Sequence, residues 1–196
     1  MQREDWNRRY GRAELVWSAE PNVFVADQTG HLAPGRALDL ACGEGRNAVW
    51  LADRGWQVVG ADFSPAALDT ARRVADEAGV TVTWVEADAT TWAPPGEFDL
   101  VVLCYLQLTH DRMAAALDRV VPALAPGGTL LVIGHDRRNL DEGVGGPSDP
   151  DVLLDPEQVT AMVPDLLVER AETVRRHVEG EDRPALDTLV RARRPR

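Results

Sequence analysis

The sequence predicts an α/β fold: a doubly wound, mixed sheet of seven strands that ends in a C-terminal antiparallel hairpin. Three observations carry that prediction. From about residue 36, short β-type runs alternate with longer helical patterns. Two of the runs, Leu100-Val101-Val102-Leu103 and Leu130-Leu131-Val132-Ile133, are wholly apolar, as strands covered on both faces should be. Near the end of the chain, two strand-like runs follow one another with only a turn between them.

Taken in order, residues 36–41 (RALDLA) read as the first strand and 46–53 as a helix. Residues 57–61 (QVVGA) read as the second strand. Ser64 then offers an N-cap oxygen and Pro65 fits the first helical position, opening a helix that runs to Ala78 and stops at Gly79. Residues 81–86 form the third strand and 98–103 the fourth. Residues 111–121 are helical; Pro122 bends or ends that helix and Pro126-Gly127-Gly128 stops it. Residues 129–133 form the fifth strand. Single helices between consecutive strands imply right-handed crossovers and a parallel sheet with helices on both faces. A short helix near 156–162 precedes the strands 166–178 and 185–192, which the turn Glu179-Gly180-Glu181-Asp182 joins as a hairpin.

The chain has 196 residues, which suits one domain of roughly 100–200 residues. A domain of that size buries about 70% of its unfolded surface and needs no covalent staple. The two cysteines, Cys42 and Cys104, make no disulfide framework, and no Cys/His spacing resembles a zinc site. No apolar run reaches the ~18 residues of a membrane span, and the mixed-charge N-terminus lacks a signal core, so a cytoplasmic protein without a membrane partner is expected. The formal net charge of −11 argues against a nucleic-acid partner; the one basic cluster, at residues 191–196, reads as a solvated strand end. Oligomeric state is not legible.

Ligands of an open parallel sheet bind beyond the carboxyl ends of its strands, so the residues there are informative. The first strand runs into Asp39-Leu40-Ala41-Cys42-Gly43-Glu44-Gly45-Arg46-Asn47. Gly43 and Gly45 suit a sharp turn that approaches a ligand closely, and the next helix offers unpaired N–H groups. After the second strand, Asp62 could accept hydrogen bonds from ribose hydroxyls, or help cap the helix at Ser64; Phe63 could lie against an adenine. After the third, Asp88, between Ala87 and Ala89, could accept from an adenine amino group or close an Asx turn. Each feature alone is weak; three such ends around one pocket are specific. Gly43-Glu44-Gly45-Arg46-Asn47-Ala48 also satisfies the G-x-G-x-x-A pattern of NAD(P)-dependent oxidoreductases. Two features oppose that reading. Asp39 would place a carboxylate near a pyrophosphate, whereas ammonium and sulfonium groups would welcome it. The C-terminal hairpin also replaces a second mononucleotide-binding half.

The stretch from Asp39 to Gly45 resembles the first motif of class I S-adenosylmethionine-dependent methyltransferases, with Ala41 where many members carry a first glycine. Asp62 matches the ribose-binding acid, and Asp88 with Ala89 the adenine-edge position. Residues 98–105 resemble the fourth motif and 124–130 the segment entering the fifth strand. Cys42-Gly43-Glu44-Gly45-Arg46-Asn47, with Trp6, Tyr10 and Trp17 ahead of it, looks like the small bacterial enzymes related to tellurite-resistance and thiopurine methyltransferases. The resemblance implies a Rossmann-like core over residues 34–196 and S-adenosyl-L-methionine as cofactor. It implies cofactor contacts at Asp39, Ala41, Gly43, Gly45, Arg46, Asn47, Asp62, Phe63, Asp88, Ala89 and Cys104. It also implies that the segment 1–33, Trp17 included, helps to close over the cofactor; on its residues alone that segment is either a lid or simple packing on the sheet.

The acceptor is expected to be a small molecule: a thiol or other soft nucleophile, an amine or a hydroxyl. A hydroxyl or amine benefits from a base. His110, after the fourth strand, and His135, after the fifth, are candidate bases, each of which could equally be an ordinary loop histidine. Tyr105 and Gln107 line the acceptor pocket or pack. The loop 143–150 is a flap beside the acceptor or a plain connector. A module that binds the cofactor without catalysis is a further alternative.

Overall fold

The computed structural model describes residue 6 and residues 20–196. Its elements are α1 (Val23–Thr29), β1 (Arg36–Leu40), α2 (Arg46–Asp53), β2 (Gln57–Asp62), α3 (Pro65–Ala78), β3 (Thr83–Glu86), β4 (Phe98–Cys104), α4 (His110–Val120), β5 (Leu124–His135), α5 (Asn139–Glu142), α6 (Pro156–Ala161), β6 (Leu167–Arg176) and β7 (Ala185–Arg193). The seven strands form one sheet in the order β3-β2-β1-β4-β5-β7-β6. β1 to β5 are mutually parallel, and β7 runs antiparallel to both β5 and β6.

Both faces of the central strands are dry, as the apolar runs require. Leu38, Leu40, Val101, Leu103, Leu130 and Val132 face one way, onto Met113 and Leu117 of α4 and Val159 of α6. Ala37, Leu100, Val102, Leu131 and Ile133 face the other way, onto Val25 of α1 and Ala48 and Leu51 of α2. Alternate residues of one strand thus serve two cores, which fixes the register of the whole sheet. α3 begins as the sequence predicts: the Ser64 hydroxyl accepts from the Ala67 amide at 3.3 Å, Pro65 follows, and Gly79 closes the helix at φ 69°.

Two expectations change. β5 starts at Leu124, upstream of Pro126-Gly127-Gly128, so those residues lie inside the strand. The backbone there pairs with the end of β7: Gly127 donates to the Arg194 carbonyl and Arg194 donates to that of Gly128, at 3.0 and 2.9 Å. Gly128 lies so close to the Phe98 carbonyl that a Cβ would stand 2.8 Å from it. The second change is α1, which the sequence did not announce. The Asn22 side chain caps it, accepting from the Phe24 and Val25 amides at 2.9 and 3.3 Å. Phe24 packs against the α1–α2 core rather than standing over a ligand. Tyr10 and Trp17 lie outside the described residues. No helix among the described residues is long and apolar enough to cross a membrane.

Candidate functional site

Strand order reverses between β1 and β4, and a two-lobed cleft opens beyond their carboxyl ends, as such a switch point predicts. Each of the two strands is followed directly by a residue in left-handed backbone that is not glycine: Ala41 and Tyr105, each at φ 58°. Strain of this kind persists only where the surroundings enforce it, and it concentrates at ligand sites. Ala41, Tyr105, Gln107 and Trp6 border both lobes. One lobe, about 260 Å³, is lined by Asp62, Phe63, Asp88, Ala89 and Arg112. The other, about 330 Å³, is lined by Gly43, Arg46, Asn47, Cys104, His135, Arg176 and His177.

Asp39 is the most unusual group at the strand ends. It is 1% exposed, it faces the start of α2, and its Oδ2 has no hydrogen-bond partner. Burial pushes its carboxyl up to about 7, against the opposing effects of the Ala48 amide and the Arg46 charge. An isolated buried carboxylate oxygen is costly, so a cationic ligand would gain from pairing with it.

Asp62 is tied into the turn itself. Its Oδ2 accepts from the Gly43 amide and its Oδ1 from the Ser64 amide, both at 2.9 Å. Burial raises its pKa, with the Ser64 and Gly43 amides acting against that rise. Its two oxygens therefore tie the glycine turn to the start of α3. Asp88 takes the turn role open to it. It closes an Asx turn, with Oδ1 accepting from the Thr90 amide at 2.8 Å and the Thr90 hydroxyl at 2.7 Å, and it borders the smaller lobe.

Gly45, at φ 82°, makes the expected sharp turn. A Cβ there would stand 2.6 Å from the Trp84 ring and 2.9 Å from the Ala71 methyl. The place of its missing side chain is thus filled by the core. Asn47 is largely committed as well: its Oδ1 accepts from the Asn22 amide at 2.9 Å, fixing the start of α1 over the cleft. The Cys104 thiol is pushed up to about 12 by burial, and Cys42 is likewise raised well above its ordinary value. Both thiols stay protonated near neutral pH and are no nucleophiles there.

Of the two candidate bases, only His135 lines a lobe. His110 is the exposed first residue of α4 and borders neither, because Tyr105 and the segment after it take the inward positions beyond β4. His135 lies 4.7 Å from the Tyr105 ring, centroid to centroid. Its surroundings include groups the sequence reading did not single out. Asp187 of β7 is fully buried; its Oδ1 lies 3.4 Å from His135 Nδ1, and its Oδ2 accepts from the Tyr105 hydroxyl at 2.7 Å and Arg176 Nε at 2.8 Å. One signal was present: Asp187 stands in the apolar run Ala185-Leu186-Asp187-Thr188-Leu189-Val190, where a lone charge needs a partner.

Comparison with known proteins agrees with this geometry. Residues 37–128 match the family model of a methyltransferase domain. A demethylmenaquinone methyltransferase of Thermus thermophilus is 43% identical over 124 residues, covering 62% of this chain and 54% of that protein. The chain thus spans about half the length of that curated relative. Two solved structures share the fold. The N-methyltransferase NodS of Bradyrhizobium japonicum, in complex with S-adenosyl-L-homocysteine, superimposes with a TM-score of 0.74 at 20% identity, covering 98% of each chain. TehB of Haemophilus influenzae gives 0.72 at 16% identity, over 98% of this chain and 67% of its own. In its strand order, its glycine turn and its matched segment, the chain resembles the class I S-adenosylmethionine-dependent methyltransferases.

Proposed function

We propose that this chain transfers a methyl group from S-adenosyl-L-methionine to a small-molecule acceptor held in the larger lobe. The observation that carries this reading is the unpaired, buried Asp39 Oδ2 beside the glycine turn. That oxygen suits a cationic methionine moiety and would repel a pyrophosphate, so it favours this cofactor over NAD. The bound sulfonium supplies a methyl carbon already activated for displacement. What the chain contributes is alignment of the acceptor and exclusion of water. In this reading Asp39, Ala41, Gly43, Arg46 and Asn47 hold the methionine end, and Cys104 borders it. Asp62 and Phe63 hold the ribose and the adenine face; Asp88 and Ala89 hold the adenine edge. Gly45 acts by seating the turn on Trp84.

The proposal extends to the organisation of the chain. Residues 34–196 act as one catalytic domain, with residues 1–33 as its cap; the position of Trp6 at the border of both lobes supports this. Two free cysteines fit work in the cytoplasm. Calorimetry tests the core of the reading: S-adenosylmethionine should bind and NAD should not. The reverse result would refute it. Binding without methyl transfer to any of a broad panel of thiols, amines, phenols and carboxylates would reduce the chain to a cofactor-binding module.

A further inference from the structure

His135 Nδ1 and Asp187 Oδ1 are both buried, neither has another hydrogen-bond partner, and they face each other at 3.4 Å. A proton on Nδ1 would let this nitrogen donate to the facing carboxylate, which assigns the Nδ1–H tautomer to His135 and leaves Nε2 its lone pair. The other Asp187 oxygen is occupied by Arg176 Nε and the Tyr105 hydroxyl, so the carboxylate remains ionised and fixed. Burial alone would raise the Asp187 pKa; hydrogen bonds from His135, Arg176 and Tyr105 outweigh it and hold the pKa below its ordinary value.

The loop 143–150 completes the arrangement. Gly146, at φ 80°, lies flat on the Nδ1 side of the ring: a Cβ there would stand 2.9 Å from Nδ1 and 3.0 Å from Cε1. The ring face beside Nδ1 is thereby covered, while the ring still lines the larger lobe. Three chain segments meet the imidazole, Tyr105 after β4, Asp187 of β7 and this loop, and Arg176 of β6 braces the first two.

We infer that His135 Nε2 is the general base of the acceptor site, that Asp187 is its positioning residue, and that the acceptor is a protic nucleophile, a hydroxyl or an amine. The inference rests on the methyltransferase reading and narrows it. His135 Nε2 takes the proton that the acceptor oxygen or nitrogen sheds as that atom bonds to the methyl carbon; the electron pair of the broken carbon–sulfur bond stays on sulfur. The imidazolium so formed is paired with Asp187 and later loses its proton to water. A carboxylate or a preformed thiolate has no proton to give and gains nothing from this unit. Glu20, Glu44, Arg46 and His177 line the rest of the lobe, so the pH profile must be assigned by substitution at His135 itself.

The first test needs no acceptor. Nitrogen-15 imidazole spectra of the full chain, with His135 identified by its loss in His135→Gln, should show the Nδ1–H tautomer. In Asp187→Asn that preference should disappear. An Nε2–H tautomer in the wild-type chain would overturn the inference. The second test uses S-adenosylmethionine with phenol, benzylamine, thiophenol and benzoate. Methylation should be confined to phenol or benzylamine. In His135→Gln, kcat should fall about 100-fold or more, with the acid-side limb, where rate rises with pH, removed from the pH profile, while calorimetric affinity for S-adenosylmethionine is kept. An unchanged kcat, or methylation of thiophenol or benzoate alone, would overturn it. Failure of S-adenosylmethionine to bind would sink the methyltransferase reading instead, and the spectra would still report on the His135–Asp187 unit.

Discussion

At the scale of single residues, Asp39 couples the fold to its ligand through one proton. Its carboxyl is pushed up to about 7 by burial, from 3.8. Between those values the folded chain holds a proton that the unfolded chain has released, so stability falls as pH rises through that window. Asp62, also raised by burial, contributes with the same sign. Asp39→Asn should therefore make the ligand-free protein more stable at pH 8 by about 1–3 kcal/mol, with little change at pH 4. Urea denaturation at the two pH values measures this. The same substitution should weaken S-adenosylmethionine binding, and near pH 7 the wild-type chain should release a proton on binding that the variant does not. Calorimetry in buffers of different ionisation enthalpy reads that proton. Much of this site was legible in the sequence because strand ends carry ligands in such sheets and the acids sit at strand ends. What was not legible was how the acids are used. Asp62 gives one oxygen to the Gly43 amide of the turn and the other to the Ser64 amide at the start of α3. Asp187 comes from a strand over 80 residues beyond the segment whose Tyr105 binds it.

Among elements, the helix α2 and the strands β2 and β3 meet around Trp84. Gly45 opens α2 and Gly60 lies within β2, and each is glycine because the indole occupies the place of its side chain. A Cβ on Gly60 would stand 2.4 Å from Trp84 Cζ3, and the backbone of β2 cannot retreat while it pairs with β1 and β3. Gly60→Ala should destabilise the protein by about 1–3 kcal/mol, the ordinary cost of overpacking. Trp84→Leu should relieve part of that cost, so the double variant should be less destabilised than the sum of the two single changes. Thermal denaturation of the four proteins closes the cycle, and strict additivity would refute the close contact. The apolar runs and the Ser64–Pro65 and Gly79 signals placed most elements correctly because each rests on local chemistry. α1 and the early start of β5 escaped because their warrants are tertiary. α1 depends on Asn22 meeting Asn47, and residues 124–128 are strand only because β7 returns to pair with them.

Over the whole molecule, the C-terminal hairpin is what separates this sheet from a purely parallel one, and it also supplies the charged floor of the larger lobe. Arg176 of β6 and Asp187 of β7 are paired at 2.8 Å, with Asp187 fully buried and the Arg176 side chain 26% exposed. Arg176→Met keeps much of the apolar stem and leaves the Asp187 carboxylate with only His135 and Tyr105 as donors. Breaking a buried pair from one side costs about 3–5 kcal/mol, and the remaining donors and partial exposure reduce that here to roughly 2–3 kcal/mol at pH 7. The pH dependence separates charge from packing. The Asp187 pKa is held below its ordinary value in the folded state, so its contribution is present above the unfolded pKa and is lost as pH falls through the folded one. The stability difference between wild type and Arg176→Met, followed by urea denaturation, should therefore be largest at pH 7 and shrink toward pH 3. A loss of the same size at both ends would mean that Arg176 acts only through its packing. A loss that tracks the charge would mean that the hairpin is fastened to the sheet by the group that orients His135, so that the edge of the fold and the floor of its acceptor site stand or fall together.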